Sequence, residues 1–461
     1  MALSKWFFRF LRRFFSQDFM LFVAHPAFAL RGRAPAPPDK SLSHRSLIFG
    51  ALAQGRTQIQ HLLEGDDVLR TAAAMRALGA EVRRVGDGAY VVESPGRLGL
   101  NSPASVLDFG NAGTGARLSM GAIVGARLTA SFTGDASLSK RPMGRVIEPL
   151  TAIGAKALGR DKGLLPLTLS GRDQLQQITW RSRQASAQVK SAILLAALGT
   201  EGETVVIEPH RSRAHTETLL AAFGVETQSG VDETGGWRVS IRGGQALRPA
   251  SVIVPGDPSS AAFATIAGLI VPQSDIVIAG VMLAPERDGL YRALRQMGAD
   301  LSFENERREA GEQVADLRVR ASSLRAITTA PEDAAAMIDE FPALAIACAR
   351  AHGDSRLQGL GELRVKESDR LAAILEGLRA IGVAAEIQGD DLCISGMNGA
   401  APAGAAHIST HGDHRIAMAF LVAGLSAKAP IAVDEAEMIA TSFPGFRAHM
   451  AAFGAEITEA P

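Results

Sequence analysis

The sequence predicts an α/β protein of two domains, each of three repeated strand–helix–strand–helix–strand–strand units. Helices lie inside and sheets outside, an inside-out α/β barrel. Three observations predict it. A bulky residue, then Gly, then Ala or Val recurs six times, at Gly79, Gly154, Gly224, Gly298, Gly382 and Gly454, spaced 70 to 84 residues apart. Polar clusters led by Lys40, Asn111, Ser186, Asp257, Asp339 and His411 recur at intervals of 71 to 82 residues. Stretches apolar nearly all round follow these clusters, as in Ser191–Leu198 and Ala261–Val271. A sustained internal period defines the architecture of a chain.

In chain order, residues 1–26 are set apart as an extension. Lys5, Arg9, Arg12 and Arg13 alternate there with Phe7, Phe8, Phe10, Phe14 and Phe15. A basic amphipathic surface helix and a signal peptide are both readings of that pattern. Gln17 and Asp18 interrupt the apolar stretch, which favours a dispensable extension. Residues 36–251 form the first domain, and residues 27–35 plus 252–461 the second. The Pro-rich Ala34–Pro38 reads as a segment crossing between them, and the second crossing falls near Pro249–Val252. Two halves joined by two strands can close like a clam.

Within a unit the first helix is apolar all round, so it is buried on every side. Ala343–Ala349 and Ile416–Leu425 are further examples. The second helix is amphipathic, as in Thr216–Phe223 and Asp288–Met297. It stops at the repeated glycine, which fits a left-handed position that a residue with Cβ resists. Extended stretches such as Ala80–Arg84 and Tyr90–Glu93 follow.

Composition narrows the function. Of 461 residues, 47% are apolar, and 48 basic residues balance 48 acidic ones. That balance argues against a general nucleic-acid binder. Cys348 and Cys393 have no partner spacing for a disulfide or a metal, which predicts reduced thiols in a cytoplasmic protein. No apolar run is long enough to span a membrane. A monomer is expected.

The clusters at the helix starts carry the chemistry. They are Asp39-Lys40-Ser41 with Arg45, Asn111–Thr114, Ser186-Ala187-Gln188, Asp257–Ser260, Asp339-Glu340 and His411–Arg415. Ser, Asp and Asn cap helices routinely, and capping is the reading for Asp257 and Ser259. Capping does not account for Lys40, Arg45 or Arg415, because a cation opposes the dipole at a helix start. Free backbone N–H groups beside a cation form an anion site. Several such ends facing one cleft would hold a ligand with more than one anionic group. Lys140-Arg141, Arg211, Arg213 and the run Arg364–Arg370 add further charge.

Other chemistries fit less well. Gly110–Gly115 lacks the Gly-Lys-Ser/Thr of a nucleotide phosphate loop. His411, Asp413 and His414 are a weak metal pattern, so no metal is expected there. His44 is either a capping or a core residue.

Asp39–Ser46, Gly110–Gly115, Arg364–Leu371 and Asp413–Met418 together resemble the 5-enolpyruvylshikimate-3-phosphate synthase family, in order, from about residue 27 to residue 458. The resemblance implies transfer of the carboxyvinyl group of phosphoenolpyruvate to the 5-hydroxyl of shikimate 3-phosphate, releasing phosphate, with no cofactor. It implies that Lys40, Ser41, Arg45, Ser186, Ala187, Gln188, Arg213, Asp339 and Lys366 bind shikimate 3-phosphate. It implies that Lys40, Gly113, Arg141, Gln188, Arg370 and Arg415 hold phosphoenolpyruvate. Asp339 is then the base at the attacking hydroxyl, and Glu367 with Lys40 the proton donor to the methylene carbon.

Two acids with these opposite tasks require different environments. Pro38 departs from the family's usual Gly before Asp39. Thr441–Pro444 lacks a lysine that one branch carries, so no catalytic role is placed there. Gly113 stands where some glyphosate-tolerant relatives have Ala, which predicts glyphosate sensitivity.

Two rival readings remain. One is the enolpyruvyl transferase acting on UDP-N-acetylglucosamine, which needs a loop cysteine near the second unit, far from Cys348 and Cys393. The other is a non-catalytic anion-binding repeat protein, which leaves the acid pair without a purpose.

Overall fold

The computed structural model describes residues 20–460 of the chain. The basic and Phe-rich stretch at residues 1–19 lies outside the described residues, with the expectations placed on it. The fold is a mixed α/β one with six sheets among the described residues.

Six helices are buried on nearly all sides: Lys40–Leu52, Gly113–Gly125, Ala187–Ala197, Pro258–Ile270, Phe341–Arg350 and His414–Leu425. Their apolar circumference leaves them no stable place except inside. The last three pack on one another, and Gly113–Gly125 packs on the other two of the first three. Asp39, Ser186, Asp257 and Asp413 cap four of these helices, each accepting a backbone N–H with its side chain. Ser259 does not cap. Its hydroxyl instead donates to the Glu340 carboxylate, because it already lies inside the first helical turn.

The outer helices include Asp66–Ala77, Gly144–Ile153, His215–Ala222, Gly289–Gln296 and Arg370–Ala380. The six repeated glycines follow the outer helices at φ between 77° and 117°. A Cβ would strain that conformation, so glycine ends the helix and turns the chain into the next strand.

Most sheets have four strands, for example Thr179–Arg181, Glu203–Glu208, Trp237–Arg242 and Thr227–Val231 in spatial order. Two strands are exchanged between halves of the chain. Arg31–Pro35 runs parallel to Asp275–Ala279, while Ser251–Ile253 runs parallel to Gln58–Gln60. The boundary drawn at 251/252 cuts the second of these strands, and its register with Gln58–Gln60 keeps it on the first half's sheet. Apolar burial follows the same division. One cluster runs from Leu42 to Val254 with a few residues beyond, and the other combines Phe22–Ala36 with Ala261–Ile457.

The structure departs from the sequence expectation in two strands and decides the reading of His44. Leu21–Ala24, set in the extension, forms a strand between Ile431–Val433 and Ile457–Ala460, because Phe22, Val23 and Ala24 are buried there. The segment before Phe341–Arg350 forms isolated bridges at Arg325 and Thr328 rather than a strand, with Pro331 close behind to interrupt pairing. His44 is a core residue, fully buried with Nδ1 2.8 Å from Thr71 Oγ1. No described helix is long and apolar enough to cross a membrane.

Candidate active site

The starts of the buried helices open into one cleft between the two apolar cores. The first half contributes Lys40, Ser41, Arg45, Gly113, Arg141, Ala187, Gln188 and Arg213 to its lining. The second half contributes Asp339, Lys366, Glu367, Arg370 and Arg415. Ser186 stands just behind the lining, where it caps Ala187–Ala197 and gives its N–H to Glu208 Oε1 at 2.8 Å. His411 lies away from the cleft, exposed and paired with Glu376 at 3.0 Å, so it does not converge with Asp413 and His414.

Asp339 sits in the turn before Phe341–Arg350. Its Oδ1 receives Arg370 Nη1 at 3.2 Å and lies 3.7 Å from Lys366 Nζ. Its Oδ2 receives Arg213 Nη2 from the first half at 3.3 Å. Arg415 Nη1 donates to its backbone carbonyl at 3.2 Å. Burial pushes the Asp339 pKa up, but Lys366, Arg415, Arg213 and Arg370 outweigh burial and hold it well below the usual carboxylate range.

Glu367 precedes the helix Arg370–Ala380. Its Oε2 accepts from Arg370 Nη2 at 2.5 Å, and its Oε1 lies 3.4 Å from Arg141 Nη1 of the first half. Burial acts upward here too, and Arg370, Arg141, His414 and Lys366 override it. The sequence reading gives the two acids different environments. In the structure both are held as carboxylates, because each faces several cations.

The cations differ in what satisfies them. Arg370 is buried and bridges Asp339, Glu367 and Asp413, the last at 2.8 Å from Nε. Lys40 pairs with the buried Asp67. Arg45 is also buried, but its hydrogen bonds go to neutral oxygens, Thr216 Oγ1 at 2.8 Å, Ser191 Oγ at 3.0 Å and the Ser41 carbonyl at 3.1 Å. Burial lowers its pKa to about 10. A guanidinium bonded only to neutral groups is well placed to take an anion.

Sequence reasoning missed Asp67, Arg117 and Arg287, which also line the cleft. Arg287 Nη2 donates to Asp257 Oδ1 at 2.6 Å, and its Nη1 pairs with Asp39. It thereby ties the caps of two buried helices at the point where the chain crosses between halves. Only Arg117 had a signal, as the sole charge in an otherwise apolar helix.

The model of the EPSP synthase (3-phosphoshikimate 1-carboxyvinyltransferase) family matches residues 25–450. A 3-phosphoshikimate 1-carboxyvinyltransferase of Methylobacterium sp. (strain 4-46) is 55% identical over 433 residues, covering 93% of this chain and 96% of its own. That of Parvibaculum lavamentivorans is 54% identical, covering 94% of this chain and 96% of its own. The solved EPSP synthase of Acinetobacter baumannii superposes with a TM-score of 0.86 at 41% identity, covering 96% of this chain and all of that one. The chain therefore belongs to the EPSP synthase family.

Proposed function

We propose that this cleft performs the family's reaction with the residues that line it. The carboxyvinyl group of phosphoenolpyruvate passes to the 5-hydroxyl of shikimate 3-phosphate by addition and elimination. The convergence of Arg213, Arg141, Lys366, Arg370 and Arg415 on one acid pair, from both halves, carries this reading. Both substrates bear a phosphate and a carboxylate. Their repulsion falls off only when fixed cations neutralise them.

Arg141, Arg370 and Arg415, with Gly113 and Gln188, hold the donor. Arg45, Ser186, Ala187, Gln188, Arg213 and Lys366 hold the acceptor, and Lys40 with Ser41 stands between. Donor anions that engage Arg141 and Arg370 draw those cations from Glu367 and let its pKa rise toward that of an acid. Glu367, with Lys40, then protonates the methylene carbon, and positive charge develops at the neighbouring carbon. The 5-hydroxyl oxygen attacks that carbon while its proton passes to Asp339. Return of a proton from the new methyl group to Glu367 and departure of phosphate restore the double bond. The two carboxylates thus part in role only as substrates redistribute the cations.

Several observations support the finer fold reading, two lobes of three repeated units with helices inside. The described elements run strand, helix, strand, helix, strand, strand four times in full. The exchanged strands support crossings near residues 36 and 254, and with Leu21–Ala24 on the sheet of Ile431–Val433 they favour a division into 36–253 and 20–35 plus 254–460. A clam-like closure of these lobes is supported by the cross-lobe pairs Arg213–Asp339 and Arg141–Glu367. Cys348 and Cys393 are free thiols, which fits a cytoplasmic setting.

Phosphate release from the two substrates tests the function. Wild type should turn over, and Asp339→Ala should fall by ~10²–10⁴-fold, the usual loss of a general base. Binding of both substrates with no wild-type turnover would leave a non-catalytic anion-binding protein.

A further inference from the structure

Arg117 is the one charged side chain of the buried helix Gly113–Gly125. It is 5% exposed and lies at the floor of the cleft. Its Nη1 donates to Gln188 Oε1 at 2.8 Å, and Gln188 Nε2 donates to Thr114 Oγ1 at 2.9 Å. The Gln188 amide is therefore clamped in one orientation. Among the described residues, Arg117 Nε has no hydrogen-bond partner.

Among the described residues, no carboxylate stands within ion-pair distance of Arg117. Its charged neighbours on the same side of the cleft are Arg145 and Arg141, and Glu367 faces it from across the cleft. Burial, with those two arginines, lowers its pKa to about 9. A Cβ on Gly113 would lie 3.0 Å from Arg117 Nη1 and 3.5 Å from Arg141 Nη1. The two guanidinium groups thus meet under the same glycine.

A buried cation without an anion opposes folding, and an apolar residue of similar size would cost less. Such a charge persists where an arriving anion compensates it. We propose that Arg117 is a donor-positioning residue, whose uncompensated charge underlies the phosphoenolpyruvate pocket and whose Nη1 fixes the Gln188 amide toward it. This rests on reading the cleft around Gly113 and Arg141 as the donor site.

Arg117→Gln and Arg117→Lys, with Arg415→Ala in parallel, test the assignment through KM for each substrate, kcat and the melting temperature of the free protein. Arg117→Gln should raise the donor KM about tenfold or more, the scale of one lost charge-assisted hydrogen bond. The acceptor KM should rise much less, since Arg45, Arg213 and Lys366 still hold the acceptor beside the shared Gln188. The melting temperature should not fall, since an unfavourable buried charge has been removed. Arg117→Lys should recover part of the donor affinity.

A purely structural Arg117 would behave otherwise. Its loss would lower the melting temperature and disturb both substrates alike, and that result would overturn the assignment. An unchanged donor KM in Arg117→Gln, with a raised one in Arg415→Ala, would overturn Arg117 alone. No change in either variant would remove the donor pocket from this part of the cleft, and Arg117 with it.

Discussion

Arg213 Nη2 reaches Asp339 Oδ2 at 3.3 Å, although the two residues belong to different apolar cores and lie 126 positions apart. The contact spans the cleft and joins a cation proposed for the acceptor to the proposed base. The two halves are therefore linked through side chains of the cleft itself. Arg141 and Glu367 form the matching link at 3.4 Å.

Glu367→Gln separates proton donation from anion binding. The amide cannot supply the proton as an acid does, so kcat should fall by ~10²–10⁴-fold. It also stops competing for Arg141 and Arg370, so the donor KM should not rise. Steady-state kinetics with both substrates checks the split. A raised donor KM with kcat intact would remove Glu367 from proton transfer.

Arg415→Ala should weaken the donor by roughly 2–5 kcal/mol, the cost of truncating one partner of a desolvated charge pair. Titration of phosphoenolpyruvate binding measures it. Donor affinity equal to wild type would take Arg415 out of the pocket.

Gly113→Ala should reduce inhibition by glyphosate. The added methyl would press on Arg117 Nη1 at 3.0 Å and narrow the space beside Arg141. Wild type should be inhibited by glyphosate below the millimolar range, and the variant should need more. Equal inhibition curves would show that Gly113 does not border the inhibitor.

Acid stability should depend on His44. Burial first, and then Lys40 and Arg45, lower its pKa from 6.5 to about 3 in the folded protein. Below pH 6.5 the unfolded chain binds a proton that the folded chain refuses. Stability contributed by this residue is therefore present at neutral pH and is lost as pH falls from 6.5 toward about 3. Replacing it with Gln should flatten the pH dependence of unfolding by about 1.4 kcal/mol per pH unit in that window. Denaturant unfolding at several pH values reads the slope, and parallel curves would exclude His44 as a source of acid sensitivity.

Local rules made several of these features legible. Gly79, Gly154 and their four counterparts were readable because a left-handed residue after a helix favours glycine whatever surrounds it. Asp39, Asp257 and Asp413 were readable as helix starts because capping depends on neighbours a few residues away. Leu21–Ala24 was not readable. Four residues carry too little pattern, and the strand forms only because Ile431–Val433 and Ile457–Ala460 leave a place between them.

By itself the sequence determined which helices are buried, where they begin and which polar groups stand at their starts. These follow from short-range periodicity and capping. Only the tertiary structure decided the charge state of the acids. Asp339 and Glu367 are both held as carboxylates by Arg213 and Arg141 from the opposite half and by Arg370 beside them. It also decided that, among the described residues, no carboxylate stands within ion-pair distance of Arg117. A pKa depends on distances between groups far apart in the chain, and no local pattern encodes those distances.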